Sequence, residues 1–387
     1  MKDIFISDSV KYIGADDTTL DLFESQYKIP NGVSYNSYVI MDEKIAVMDT
    51  IDKRKTDEWF ANLDKALDGR TPDYLVISHL EPDHAANIQN FAEKYPAAKL
   101  VISAKGLSML PQFFEIDNLS ERSIAVKDGD TLDLGNHKLT FVLAPMVHWP
   151  EVMVEYESTE KILFSADGFG KFGALSADED WTDEARRYFI NIVGKYGAQV
   201  QALLKKAAAL DIQTICPLHG PILKDNLGFY IGKYATWSSY TPEEDGVLVA
   251  CASIHGNTKN AALKMVEILK EKGANAEFID ITRADTAKAV SEAFKYSKLI
   301  LAASSYDGGM FMPMNDYLSR LAHKNFQNRK VGIIENGSWA PISGKAMKAV
   351  LEGMKNITIC ENTVSIKSVA KAENIEQMKR LADEILG

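Results

Sequence analysis

Four side chains able to bind a metal ion fall within six positions at His79-Leu80-Glu81-Pro82-Asp83-His84. The run follows directly on Tyr74-Leu75-Val76-Ile77, a short apolar stretch of the kind that forms a buried strand. The strand should end at Ser78, with the ligands on the loop beyond it, and Pro82 should keep that loop from continuing as regular structure. One ion cannot easily use all four side chains at this spacing, so the run predicts two adjacent ions. It also constrains the fold, because such a loop completes a metal centre only if distant segments bring it further ligands.

Those segments are visible at the ends of other apolar runs. His148 follows Leu139-Thr140-Phe141-Val142-Leu143, Asp167 closes Ile162-Leu163-Phe164-Ser165-Ala166, and His219 closes Thr214-Ile215-Cys216-Pro217-Leu218. The chain has only 7 histidines, and His79, His84, His148 and His219 all lie at such strand ends. A lone histidine after a strand is more often structural, but four beside carboxylates at matching places point to one site.

The chain has 387 residues, enough for two or three domains, and 46% of them are apolar, so a substantial core can form. Its net charge of −11, with no basic block, argues against nucleic acid as a partner. Cys216, Cys251 and Cys360 are far apart and make no CxxC, which argues against a disulfide framework, a zinc ribbon and a fused rubredoxin-type iron site. No run of about 18 apolar residues is present and Met1-Lys2-Asp3-Ile4 lacks a signal-peptide profile, so the expectation is a soluble cytoplasmic protein with no membrane partner.

A polar stretch, Thr241-Pro242-Glu243-Glu244-Asp245-Gly246, separates two rhythms and suggests domains of 1–245 and 246–387. Before it, Val33–Ile40 and Lys44–Met48 read as a hairpin around Asp42-Glu43, with a helix over Lys55–Leu67 and further strands at Lys99–Ser103, Leu139–Leu143, Val152–Tyr156 and Ile162–Ser165. The segment from about Glu184 to Ala209 reads as helix with interruptions. This mixture suits an αββα sandwich, two mixed sheets inside and helices outside. After the break, strands at Val247–Ala252, Ala276–Ile281, Lys298–Ala303 and Val331–Ile334 alternate with helices, the rhythm of a doubly wound parallel sheet.

The order His79-x-Glu81-x-Asp83-His84, His148, Asp167, His219 resembles the metallo-β-lactamase-like domain of flavodiiron proteins, also called A-type flavoproteins. Binuclear zinc hydrolases with this loop usually carry histidine where Glu81 stands, and a carboxylate there favours iron over zinc. The resemblance implies that His79, Glu81 and His148 hold one iron, that Asp83, His84 and His219 hold the other, and that Asp167 bridges the two.

In the second half, the loop Ser253-Ile254-His255-Gly256-Asn257-Thr258 joins a strand to a helix N-terminus and offers hydroxyls, an amide and a glycine turn. A phosphate monoester suits such a loop, because the free N–H groups and dipole of the helix favour an anion. Neither a Walker A lysine nor GxGxxG is present. The loop resembles the first FMN loop of flavodoxins. Two later loops, Ser305-Tyr306-Asp307-Gly308-Gly309 and Asn336-Gly337-Ser338-Trp339, lie where the flavin ring would rest, with Trp339 either stacked on it or part of the core.

Together the resemblances cover essentially the whole chain and imply an oxidoreductase with two Fe and one FMN per chain, acting on O2, NO or both. They also imply a homodimer or dimer of dimers, with the flavin of one chain serving the irons of the other, and an external donor such as rubredoxin. Tyr196 and Trp149 are candidate catalytic side chains beside the ligands, though either reads equally well as core. One rival is a binuclear hydrolase of the β-lactamase superfamily with a flavin-binding accessory domain; another is an electron carrier with a structural metal domain.

Overall fold

The computed structural model describes residues 4–387. Two units divide them: one runs to Phe189 and resumes over Ala198–Ala235, and the other takes in Ile190–Gly197 and Thr236–Gly387. No helix among the described residues is long and apolar enough to cross a membrane.

The first unit is built on two sheets. One has six strands in chain order: β1 (Val10–Tyr12), β2 (Tyr38–Ile40), β3 (Ala46–Met48), β4 (Tyr74–Ile77), β5 (Lys99–Ser103) and β6 (Ser123–Val126). Its first two pairings are antiparallel and the remaining three parallel. The other sheet runs β7 (Thr131–Asp133), β8 (Lys138–Leu143), β9 (Met153–Glu157), β10 (Ile162–Phe164) and β11 (Thr214–Cys216), antiparallel except for the last pair.

Side chains alternate across a strand, so each strand sends every second residue to one face. Val10, Tyr38, Met48, Val76 and Val101 of one sheet therefore share a buried cluster with Phe141, Met153, Phe164 and Cys216 of the other. Residues of the opposite parity, such as Val39, Val47, Leu75 and Leu100, are also fully buried. The helices Thr56–Leu67 and Ile88–Lys94 carry matching buried faces, and Trp59 of the first lies 6.4 Å from Phe91 of the second, ring centre to ring centre. The expected αββα sandwich is present.

Two local expectations need correction. Val33–Ile40 is not one strand. Val33–Tyr35 pairs with Ala15–Asp17, while Tyr38–Ile40 joins the six-stranded sheet. The break falls at Asn36, whose backbone N–H donates to the Leu218 carbonyl at 2.8 Å and whose amide donates to the Pro217 and Gly220 carbonyls, each at 2.8 Å. Asn36 leaves the ladder because it holds the loop that carries His219. Pro82 likewise does not prevent regular structure: it opens the short helix Pro82–Ala85. Proline suits a first helical position, where its missing N–H would have had no partner. Asp83 and His84 thus sit on a helical turn.

The second unit holds a parallel sheet of β12 (Glu244–Ala252), β13 (Ala276–Asp280), β14 (Tyr296–Tyr306), β15 (Arg329–Asn336) and β16 (Ile357–Ile366), ordered β13-β12-β14-β15-β16. This is the flavodoxin-like order, in which ligands bind beyond the strand ends where the winding reverses, here between β12 and β14.

Asn36 is fully buried, and its amide is the hydrogen-bond donor to two carbonyls of the 217–220 loop. Asn36→Ala should therefore lower the stability of the first unit by roughly 3 kcal/mol. A fall in the urea midpoint at unchanged slope is the readout, and an unmoved midpoint would show that the loop holds without this residue.

Candidate metal centre and cofactor cavity

Seven side chains converge from the loops after four strands of the first unit, β4, β8, β10 and β11. His79, Glu81, His148 and Asp167 present ligand atoms within 4.8 Å of one another, and so do Asp83, His84 and His219. Asp167 lies between the two groups. Its Oδ2 faces His148 Nε2 at 3.1 Å and His79 Nε2 at 3.4 Å; its Oδ1 faces His84 Nε2 at 3.3 Å and His219 Nε2 at 3.9 Å. Glu81 accepts from His148 at 2.8 Å, and Asp83 lies 3.3 Å from His219 and 3.4 Å from His84.

The local backbone explains the aim of these groups. Ser78 closes β4 with its N–H on Asp49, and Leu80 N–H donates to Glu151, so the chain leaves the strand in a set direction. The turn after β10 is tied by Ser165 Oγ to the Gly168 carbonyl and by Phe169 N–H to Tyr234 Oη, which fixes Asp167 between them. His219 donates Nδ1–H to the Ser34 carbonyl at 2.7 Å, leaving Nε2 as the free ligand atom. Gly220, at φ 78°, then lets the chain turn away with its N–H on Ser34 Oγ.

Both ring nitrogens of His79, both oxygens of Asp83, Nδ1 of His84 and Oδ1 of Asp167 are buried without a hydrogen bond. Buried polar atoms without partners are costly, and so many converging on one point fit a site made for cations. Without ions, the groups neutralise one another. Burial opposes charge on Glu81, but hydrogen bonds from His148 and His79 bring it down to about 2. Burial likewise opposes charge on His148, but bonds to Asp167 and Glu81 push it up to about 10. His79 is raised and Asp167 lowered in the same way, against their burial, through the attraction between them.

Trp149 stands beside the ligands, its ring 6.5 Å from that of His79. No described contact joins Tyr196 to a ligand. It lies in the short turn Gly194–Tyr196, counted with the second unit, with the Lys195 ammonium 6.0 Å from its ring. Tyr188 is the tyrosine of this segment that the structure sets against the ligands, with its ring 5.4 Å from His219. Phe23 and Tyr35 complete that wall at 5.4 and 6.0 Å. Sequence reading missed all three, as it missed Glu24. They are aromatic or turn residues without a metal-ligand pattern, and only the long-range pairing puts them here. A cavity of about 250 Å³ opens onto Glu81 and Asp83, walled by Leu22, Phe23, Glu24, Tyr35 and Arg54. Burial, then the charge of Glu81, pushes the Glu24 carboxyl up to about 7.

In the second unit a cavity of about 450 Å³ lies beyond the ends of β12, β14 and β15. Its size is that of a pocket for a cofactor. The loop Ser253–Thr258 forms one wall, with Gly256 at φ 96° before the helix Asn257–Glu271 and its N–H on Ser253 Oγ at 3.1 Å. Among the described residues, no lysine or arginine lines the cavity. Ser253, His255, Asn257, Thr258, Ser305–Gly308 and Asn336–Trp339 line it, whereas Gly256 and Gly309 do not. Gly256 instead turns the loop, and Gly309 pairs with Tyr306 in a short hairpin. Ser305 Oγ caps the helix Ser343–Leu351 by accepting from Ile342 and Ser343 N–H. Both ends of the Asn336 carboxamide are engaged by the Ser368 backbone. Trp339 is 91% exposed on the rim, so it is no core residue.

Residues 33–220 match a family model described as ODP family beta lactamase. The chain is 29% identical over 349 residues to the anaerobic nitric oxide reductase flavorubredoxin of Aliivibrio salmonicida, a match covering 87% of this chain and 69% of that one. Among solved structures it resembles the rubredoxin oxygen:oxidoreductase of Desulfovibrio gigas, with a TM-score of 0.92, 27% identity and 98% and 97% of the two chains covered. The flavodiiron protein from Giardia intestinalis superposes with a TM-score of 0.93 at 24% identity, covering 100% of this chain and 96% of that one.

In the metal-free protein His79 and His148 are held as imidazolium at neutral pH, His148 up to about 10. Loading with Fe2+ or Zn2+ near pH 7 should therefore release protons, because imidazole ligates only when neutral. An indicator dye in weak buffer measures the release, and metal uptake without it would contradict the imidazolium state of these two side chains.

Proposed function

This chain belongs with the flavodiiron proteins in sequence and fold, and from that premise we propose that it reduces O2 to water, NO to N2O, or both, at two irons supplied with electrons through FMN. It is an oxidoreductase of the flavoprotein type, with the beta-lactamase-like fold in one unit and the flavodoxin-like fold in the other. The observation that carries the reading is Asp167, whose two oxygens face two separate ligand groups. His79, Glu81 and His148 would hold one ion and Asp83, His84 and His219 the other, with Asp167 shared between them.

Three carboxylates among seven ligands make a hard donor set, which favours iron. When bound, the ions supply two electrons and open positions for a diatomic molecule, and the flavin restores those electrons. Four electrons and four protons convert O2 to two waters; two of each convert two NO to N2O and water. The residues of the chain bind and orient. Glu81, Asp83 and Asp167 offset the charge of the ions, while Phe23, Tyr35 and Tyr188 keep bulk water from the His219 side. At the other site, the N–H groups of the loop Ser253–Thr258 would hold the FMN phosphate without a basic side chain. Rubredoxin stands in the names of two relatives, and a rubredoxin-type protein is the external donor we assign.

One experiment joins cofactor content to chemistry. The purified protein should carry one FMN and two irons, and after anaerobic reduction it should consume O2 or NO. Asp167→Ala should lose iron and more than about 100-fold in turnover while keeping FMN, since it removes a ligand rather than a supporting group. Thr258→Val should weaken FMN and leave the irons in place. Stoichiometric zinc from iron-sufficient cells, with no turnover, would instead favour the hydrolase reading.

We also assign function to a homodimer in which the flavin of one chain serves the irons of its partner. The rim of the flavin cavity supports this, since Trp339 and Tyr306 are 91% and 48% exposed and free to meet another chain. Mixing Asp167→Ala chains with Thr258→Val chains should then restore activity that neither variant has alone. Proven subunit exchange without recovery would sink the cross-chain route.

A further inference from the structure

Behind the ligand loop two carboxyl groups share one hydroxyl. Asp49 follows β3 and Glu155 lies within β9, so they come from different sheets, and they are 3% and 0% exposed. Ser78 sits between them. Its N–H donates to Asp49 Oδ1 at 2.8 Å, its Oγ donates to Asp49 Oδ2 at 2.6 Å, and the same Oγ lies 3.3 Å from Glu155 Oε2. Glu155 Oε1 has no hydrogen bond. Neither carboxyl is joined to a lysine or arginine among the described contacts. The charged groups that bear on Glu155 are Asp49, which disfavours its ionisation, and His79, which favours it.

Counting protons decides the charge. A serine hydroxyl has one proton to donate. At 2.6 Å that proton belongs to Asp49, so the contact with Glu155 sets oxygen against oxygen unless Glu155 brings a proton of its own. An ionised Glu155 would be a fully buried anion with one oxygen unpaired and no donor on the other, beside a second carboxylate, an arrangement that burial strongly opposes. Asp49 is the better anion of the two, because both Ser78 donors point at it. Burial pushes both carboxyls up, which agrees with a single proton retained by the pair.

We propose that Glu155 is held as a neutral carboxylic acid donating to Ser78 Oγ, and that the chain Glu155–Ser78–Asp49 positions the loop carrying His79. Ser78 is then gripped on every polar atom, since its carbonyl also accepts from Met153 N–H at 3.0 Å. His79 is the next residue, so the direction of its backbone follows from that grip. No hydrogen bond or ion pair joins Glu155 to a ligand among the described contacts, and its hydrogen-bond partner is Ser78, through which it acts. What it positions rests on the metal reading above; its protonation does not.

Infrared spectra compared in H2O and D2O at about pH 8, well above the pKa of a free glutamic acid, test the first half. They should show the carbonyl stretch of a protonated carboxylic acid that Glu155→Gln lacks; absence of the band overturns the proposal. Iron release to a chelator tests the second half. Glu155→Gln keeps a donor to Ser78 and should release iron at close to the unsubstituted rate. Glu155→Ala should release it about 10- to 100-fold faster, the usual effect of removing a group behind a ligand. If that variant does not fold, Ser78→Ala, which keeps both carboxyls but removes the hydroxyl, should show the same acceleration. Slow release from whichever of these two variants folds overturns the positioning role. An unsubstituted chain that binds no metal overturns the metal reading and the positioning role together, and the infrared band still decides the charge of Glu155.

Discussion

Four imidazoles face one carboxylate at the centre of the first unit, and the rest of that unit can be read as the frame this arrangement requires. Asp167 has His148 and His79 on one oxygen and His84 and His219 on the other; four of these five are buried, and the His148 side chain is 11% exposed. Charges and lone pairs at this density are unfavourable unless partners converge on them. No single stretch of chain can supply them, because the side chains must arrive from several directions. Two packed sheets whose strands end at one edge solve that problem. The apolar parity of the strands seals the space between the sheets, and the loops after β4, β8, β10 and β11 carry the ligands.

The two sites obtain their selectivity by opposite means. The first concentrates ionisable side chains and leaves their atoms unpaired, so it calls for cations. The second has no lysine or arginine among the described residues and presents a glycine turn, hydroxyls and the start of a helix. A cavity lined in this way attracts an anion through fixed dipoles, whose strength does not depend on a side chain's protonation.

Most of this is legible in the chain without its fold, for a physical reason. Metal ligands are chemically distinctive and follow apolar runs whose ends are easy to locate, so His79, His148, Asp167 and His219 stand out. The alternating rhythm after Gly246 and the loop Ser253–Thr258 likewise signal a wound parallel sheet with a phosphate-type turn. What stays hidden depends on long-range pairing. Val33–Ile40 has the composition of one strand, and nothing local reveals that Asn36 must leave it to bind the 217–220 loop. Tyr188 and Tyr196 lie eight positions apart in one helical stretch. Nothing local in that stretch, which changes pitch at Phe189–Val193 and Gly194–Tyr196, reveals that Tyr188 is set against His219. Pro82 misleads because its effect depends on position: proline breaks a helix interior but favours a helix start.

The tie between Asn36 and the loop before His219 has a consequence for how the protein acquires its metals. With Ser34 holding Nδ1 and Asn36 holding the flanking carbonyls, His219 is aimed before any ion arrives. A site ordered in advance loses little conformational entropy on loading, so it can scavenge ions from a dilute pool. The same rigidity removes a means of discrimination, because the ligands cannot rearrange to reject an ion of similar size. Divalent ions that rank above ferrous iron in intrinsic affinity would compete on favourable terms. Correct metallation then becomes a question of supply and timing in the cell rather than of recognition by the folded chain.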